Sequence, residues 1–127
     1  MTPEIEAAIR ELGEAFPGSG VDVEPDAEGG AFVVVNELSF GPTYEPAASW
    51  VGFQITFQYP RADVYPHFLD GALRRKDGMA LGEGFSGATT WRGRPAVQVS
   101  RRSNRLDPLT DTAATKLAKI LEWVRAK

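Results

Sequence analysis

The stretch QITFQYPRADVYPHFLDGALRRKDG, residues 54–78, ends an apolar run with two Tyr-Pro pairs and contains the only histidine, His67. The apolar side chains of this run occupy every second position: Val51, Phe53, Ile55 and Phe57. Polar residues stand between them, and this alternation predicts an antiparallel strand over residues 50–58 with one buried face. Pro60 ends the strand, because proline has no N–H to donate to a neighbouring strand.

The residues before this strand predict a helix and a hairpin. Thr2 and Pro3 suit the N-cap and the first helical position. Apolar residues then recur at helical spacing: Ile5, Ile9, Leu12 and Phe16. After a stop at Pro17-Gly18, residues 20–24 and 31–35 flank a turn-forming segment, PDAEGG, and predict two paired strands.

The residues after the strand predict a long loop and a second helix. Residues 61–93 are rich in glycine and poor in periodicity, which indicates a long irregular Pro/Gly-rich loop. Residues 94–102 suggest a short strand, and Asp107-Pro108 is expected to begin the last helix. Its buried stripe is expected to comprise Ala113, Ala114, Leu117, Ile120, Leu121 and Val124, and its solvated residues Lys116, Lys119, Glu122 and Arg125. This order predicts one α+β domain over residues 1–127, with helices on one face of an antiparallel sheet.

The amino-acid composition limits the functions that this chain can have. The chain has 127 residues and no cysteine, which excludes disulfides, thiolate metal sites and a cysteine nucleophile. The N-terminal residues are acidic and amphipathic, unlike a signal peptide, and no run reaches the roughly 20 apolar residues that span a bilayer. We therefore expect a cytoplasmic location.

Charge is divided unevenly along the chain. Residues 1–60 hold ten acidic residues and one basic residue, whereas residues 61–127 hold thirteen basic and seven acidic residues. Such asymmetry is typical of an electrostatic interaction face, or of two halves that interleave in the fold and neutralise each other.

The segment ITFQYP, residues 55–60, followed by Tyr65-Pro66, resembles the end of the strand meander in ubiquitin-conjugating enzymes and their RWD relatives. The order helix, meander, Tyr-Pro, long loop and helix agrees with that superfamily over nearly the whole chain. More narrowly, the chain is similar to bacterial ubiquitin-conjugating-like families, whose members often lie beside ubiquitin-activating-like and metalloprotease-like partners. The resemblance implies a ubiquitin-conjugating-like fold and a protein partner that is ubiquitin-like, activating-enzyme-like or otherwise part of a conjugation system.

The chain departs from that superfamily at the reacting group. The position of the family's cysteine falls near residues 96–100, AVQVS, and the His-Pro-Asn signature is absent. Without a thiol, no thioester can form, and Ser100 could form only an oxyester. The resemblance therefore implies a pseudoenzyme that serves as a non-catalytic binding or scaffold module.

His67 offers an alternative. It lies between Asp63 and Asp70, and either carboxylate could orient its imidazole as a general base or metal ligand. An enzyme that uses His67 with one of these acids, and Ser100 as a nucleophile, is the second hypothesis. The plainer interpretation is a histidine in a turn that hydrogen-bonds locally. One histidine with loosely spaced acids makes a poor metal site, so we expect neither a metal nor a cofactor.

Basic residues form the candidate binding surface. They fall in two runs, Arg74, Arg75 and Lys76, and then Arg92, Arg94, Arg101, Arg102 and Arg105 with Trp91 nearby. Arginine suits carboxylate and phosphate groups, so the runs could dock an acidic protein surface, bind nucleic acid or form solvated and internal ion pairs. The net charge of −3 disfavours nucleic acid. Trp91 is expected to be the most exposed tryptophan, and the oligomeric state stays open.

Overall fold

The computed structural model describes all 127 residues and has an α+β architecture, as predicted. Its elements, in chain order, are α1 (Pro3–Ala15), β1 (Val21–Pro25), β2 (Ala31–Ser39), β3 (Tyr44–Glu45), β4 (Ala48–Ile55), β5 (His67–Asp70), β6 (Arg74–Arg75), β7 (Phe85–Trp91), β8 (Arg94–Val99) and α2 (Ala113–Arg125). Neither helix is long and apolar enough to cross a membrane.

Six strands form one antiparallel sheet in the order β1-β2-β4-β5-β8-β7, and β3 pairs with β6 in a separate two-stranded ribbon. The predicted hairpin is confirmed as β1 and β2, with Val23 opposite Val33. Val33 in turn lies opposite Phe53 of β4, and His67 of β5 lies opposite Val99 of β8.

Both helices and one face of the sheet build a single core. The predicted helix α1 begins as expected, since the Thr2 side chain accepts a hydrogen bond from the Ile5 N–H at 3.1 Å. The core joins residues from both helices with inward residues of the strands, and includes Ile5, Leu12, Val33, Phe53, Leu69, Val99, Leu117 and Leu121. Burial of this apolar surface is the main favourable term for folding.

The opposite face of the sheet carries a second, smaller cluster under the turn between β7 and β8. Trp91 packs on Gly52 of β4, where a side chain would overlap the indole. Its ring stacks on Phe68 and Trp50, with centroid separations of 5.3 and 6.2 Å. Trp91 is therefore only 9% exposed, and the prediction that it is the most exposed tryptophan is wrong.

The segment 61–93 is not one irregular loop, because it contains β5, β6 and β7. Four residues of β5 and two of β6 are too few to display a period, and a bulge between Ser86 and Thr89 interrupts β7. The preceding strand is also shorter than predicted. It ends at Ile55, so Phe57 lies beyond the sheet and is 50% exposed.

The second helix begins later than predicted. Thr112 is its N-cap and accepts a hydrogen bond from the Thr115 N–H, so α2 starts at Ala113. Asp107 instead stabilises a separate turn, where its carboxylate accepts from the Leu109 N–H at 2.9 Å. The predicted buried stripe is confirmed, but Lys116 is buried rather than solvated.

Candidate functional site

The two Tyr-Pro pairs connect the sheet to α2 and to the segment before it. The Tyr59 hydroxyl accepts a hydrogen bond from the Ala113 N–H at 3.1 Å, in the first turn of α2. Burial raises the pKa of Tyr59 above its usual value, so the hydroxyl stays protonated. The ring of Tyr65 lies under the guanidinium of Arg102, whose Cζ is 4.4 Å from the ring centroid.

Asp63, between these pairs, bonds to α2 rather than to His67. Lys116 Nζ donates to both carboxylate oxygens, at 2.9 and 3.1 Å, and the Ser103 N–H donates at 2.6 Å. Burial by itself raises the pKa of Asp63, but the hydrogen bonds from Ser103 and Lys116 outweigh it and hold the pKa below the usual value. Asp63 is thus an ionised structural anchor.

His67 is enclosed in the core. It has no solvent exposure, and neither ring nitrogen has a hydrogen-bond partner. Its ring packs on Phe53, with centroids 5.2 Å apart. Burial, assisted by the positive charge of Lys116, lowers the pKa of His67 to about 3, although Asp63 opposes the shift. The imidazole is therefore neutral at physiological pH, and neither the local hydrogen bond nor the carboxylate contact considered for it is formed.

The other two candidates for catalysis have separate partners. Asp70 accepts hydrogen bonds from the Ser49 hydroxyl at 2.6 Å and from the Ala72 N–H at 2.9 Å. Ser100 is exposed and accepts from the Gln98 side chain at 2.8 Å. No hydrogen bond joins either residue to His67, and the chain contains no group of three or more histidine and carboxylate side chains placed to hold a metal.

The first basic run is engaged in ion pairs. Arg74 contacts Glu45 at 3.0 Å across the β3–β6 ribbon. Arg75 contacts Asp77 at 2.9 Å and donates to the Lys127 carbonyl at 3.0 Å. Lys76 is exposed and its side chain forms no ion pair. This run matches the internal ion-pair alternative better than a free binding surface.

The second basic run divides between two surfaces. Arg92 lies over Phe32 and pairs with Glu24 at 2.6 Å, and Arg94 lies over Trp50, on the sheet face opposite the helices. Arg105 is exposed, has a backbone φ of 55° and forms no ion pair. The run is therefore not a continuous patch.

Arg101 and Arg102 meet α2 at a cleft of about 300 Å³. The Cζ of Arg101 lies 4.7 Å from the ring centroid of Trp123. Lys116 and Lys119 also line this cleft, together with Ser103, Asn104, Asp111, Ile120 and Trp123. Neither Arg101 nor Arg102 forms an ion pair, so their charges are not neutralised within the chain. We refer to this feature as the arginine cleft.

Sequence reasoning identified the arginines of the cleft but not its other wall. The sequence predicts Lys119 only as a solvated residue of the last helix and assigns no role to Trp123. A usable signal was present, because Lys116, Lys119 and Trp123 are three and four residues apart and so share one face of a helix.

No family model, curated protein or solved structure matches this chain.

Proposed function

We propose that this chain is a ubiquitin-conjugating-like domain of a bacterial conjugation system that acts as a non-catalytic protein-binding module in the cytoplasm. The observation that carries the proposal is the arginine cleft, which Arg101 and Arg102 both line without an acidic partner. The partner is a ubiquitin-like or activating-enzyme-like protein that presents an acidic surface.

The order of elements supports the ubiquitin-conjugating-like assignment. An N-terminal helix precedes the consecutive antiparallel neighbours β1, β2, β4 and β5, and the Tyr-Pro pairs lie between β4 and β5. A C-terminal helix then packs on the same face as α1. The chain adds the β7–β8 hairpin, which continues the sheet beyond β5 where the resemblance implied a long Pro/Gly-rich loop.

The state of the candidate catalytic residues favours binding over the alternative enzyme. A general base must reach the proton that it removes, and His67 is fully enclosed. Asp63 is ion-paired with Lys116, and Asp70 is held by Ser49. With no cysteine and no nucleophile–base pair, the binding function explains more of the geometry than a transfer or hydrolysis reaction.

Electrostatics favour an acidic protein over nucleic acid. Arg101 and Arg102 supply a local excess of positive charge, but the chain as a whole carries −3. An extended nucleic-acid strand favours a domain with an overall basic charge, whereas a compact acidic patch on a protein needs only a local excess of positive charge.

Partner capture tests this function. Three baits are compared by quantitative mass spectrometry of proteins from the source organism: the wild-type chain, R101S/R102S, and a matched control, R61S/R74S, which loses the same charge elsewhere. We expect a conjugation-system protein on the wild-type and control baits, depleted at least about tenfold on R101S/R102S. Equal retention by all three baits, or no conjugation-system protein on any, would contradict the proposal.

A further inference from the structure

The two arginines of the cleft are pre-oriented by aromatic rings. Arg101 lies on Trp123, and Arg102 lies on Tyr65. A guanidinium that stacks through its face keeps its N–H donors free at its edge. Neither guanidinium donates a hydrogen bond within the chain, so these edges are available to a ligand.

The aromatic supports are themselves held in place. Trp123 packs against Phe85 with ring centroids 4.9 Å apart, and Gly84 leaves room for the indole where a side chain would overlap it. Tyr65 belongs to the turn that Asp63 ties to Lys116 and Ser103. Both arginines therefore lie on aromatic side chains that are themselves held in place, which lowers the entropic cost of binding.

The surplus charge of the cleft belongs to the two arginines. Lys116 is paired with Asp63 at 2.9 Å, and Lys119 lies 3.7 Å from Asp111. Each lysine is thus offset by a carboxylate. Two unmatched positive charges with fork-shaped donors suit a dianion that can accept several hydrogen bonds, and a single carboxylate would leave one charge unmatched.

We propose that the arginine cleft binds the dianion of a phosphate monoester. Such a group carries about −1.5 to −2 charges at neutral pH and three acceptor oxygens. The Asn104 amide lines the same cleft and can add a neutral hydrogen bond. The inference deepens the proposed function and rests on it for the source of the phosphate, which is then a phosphorylated side chain on the protein partner.

The site is tested by nuclear magnetic resonance titration of the ¹⁵N-labelled chain with phosphoserine, glutamate and sulfate. We expect saturable shifts of the Trp123 indole and of the Arg101 and Arg102 amides with phosphoserine. Affinity should fall at least about tenfold in R101S/R102S and stay unchanged in R61S/R74S. Equal affinities for phosphoserine and glutamate, or equal shifts in both variants, would overturn the inference.

A second titration varies the charge of the ligand. Between pH 7.5 and 5.5 a phosphate monoester loses most of its second charge, so affinity for phosphoserine should fall about fourfold. Sulfate remains a dianion at both pH values and controls for any change in the protein itself. A parallel fall for sulfate and phosphoserine, or no fall for either, would contradict recognition of the phosphate dianion.

The source of the phosphate is resolved with a phosphoserine-containing glycine–serine peptide and adenosine monophosphate. Tighter binding of the peptide supports a phosphorylated protein as the source of the phosphate, and tighter binding of the nucleotide overturns that source.

The proposed function and the phosphate-binding inference can fail separately. Arginine-dependent capture of a conjugation-system protein without phosphate binding overturns only this inference. Phosphate binding without such capture contradicts only the proposed function.

Discussion

At the scale of single residues, the interior of this chain holds polar groups in two different states. The buried Lys116 is matched by a carboxylate and a hydroxyl, as buried charges usually are. His67 is equally buried but has no partner and avoids the cost of an enclosed charge by staying neutral. The ion pair anchors the segment before α2, whereas the histidine behaves as an aromatic core residue.

The enclosed histidine makes stability depend on pH. The pKa of His67 is lowered to about 3 in the folded chain, against 6.5 for the free side chain. The free energy of unfolding therefore does not depend on protonation of His67 above pH 6.5. Below that pH it falls progressively until about pH 3, because only the unfolded chain takes up the proton. Between pH 7.5 and 5.0 we expect the free energy of unfolding, measured with urea, to fall by about 2 kcal/mol.

The variant H67L provides the control for this pH dependence. Leucine cannot take up a proton, so the stability of H67L should change little over the same pH interval, whatever its absolute value. If the wild-type chain and H67L lose stability in parallel, His67 is not the group responsible.

The ion pair predicts a second effect. The change K116M removes the cation from a site where the lysine and aspartate side chains are 8% and 19% exposed. Asp63 is then left without its counter-charge, and we expect the free energy of unfolding to fall by about 3 kcal/mol. The double variant D63N/K116M should recover most of this loss in urea unfolding. A K116M cost below about 0.5 kcal/mol would place the pair among weak surface interactions.

At the scale of elements, the β7–β8 hairpin determines which surfaces remain open. It places Trp91 over Gly52 and thereby covers the centre of the sheet face opposite the helices. The end of β8 then delivers Arg101 and Arg102 to α2. The hairpin thus closes one aromatic surface, and the segment that follows it supplies the arginines of the cleft.

The substitution G52A tests the packing of Trp91 on β4. In G52A the new methyl group would meet the Trp91 ring, so the ring or the strand must shift, at a cost of about 1–3 kcal/mol. G87A is the matched control, because nothing lies within 4 Å of its added carbon. Urea unfolding followed by tryptophan fluorescence measures both. Equal stability of the two variants would argue that Trp91 does not pack on β4.

The helices and the strands β1, β2, β4 and β8 could be predicted from sequence because each is long enough to display a period and most have a cap or a turn residue at an end. The start of α2 was misplaced because Asp107-Pro108 carries the same cap chemistry as Thr112, and only packing distinguishes them. The burial of Trp91 and Lys116 depends on Gly52 and Asp63, which lie 39 and 53 residues earlier in the chain. Local patterns do not contain such contacts.

At the scale of the whole molecule, the uneven charge of the chain is partly cancelled by folding. The pairs Arg92–Glu24 and Arg74–Glu45 join the basic half to the acidic half. Arg101 and Arg102, like Lys76 and Arg105, form no ion pair. The arginine cleft is the place where two such unpaired basic residues line one cavity, which is why we propose it as the partner-binding surface.

Hydrogen–deuterium exchange of the chain, with and without the partner obtained by capture, is the most direct test that a protein docks at the arginine cleft. We expect slower exchange in residues 101–105 and in α2 from Lys119 to Arg125, with the β3–β6 ribbon unchanged. The protection should disappear in R101S/R102S and persist in R61S/R74S. Protection confined to the ribbon or to the sheet face around Trp50, or unchanged exchange throughout, would contradict docking at the arginine cleft.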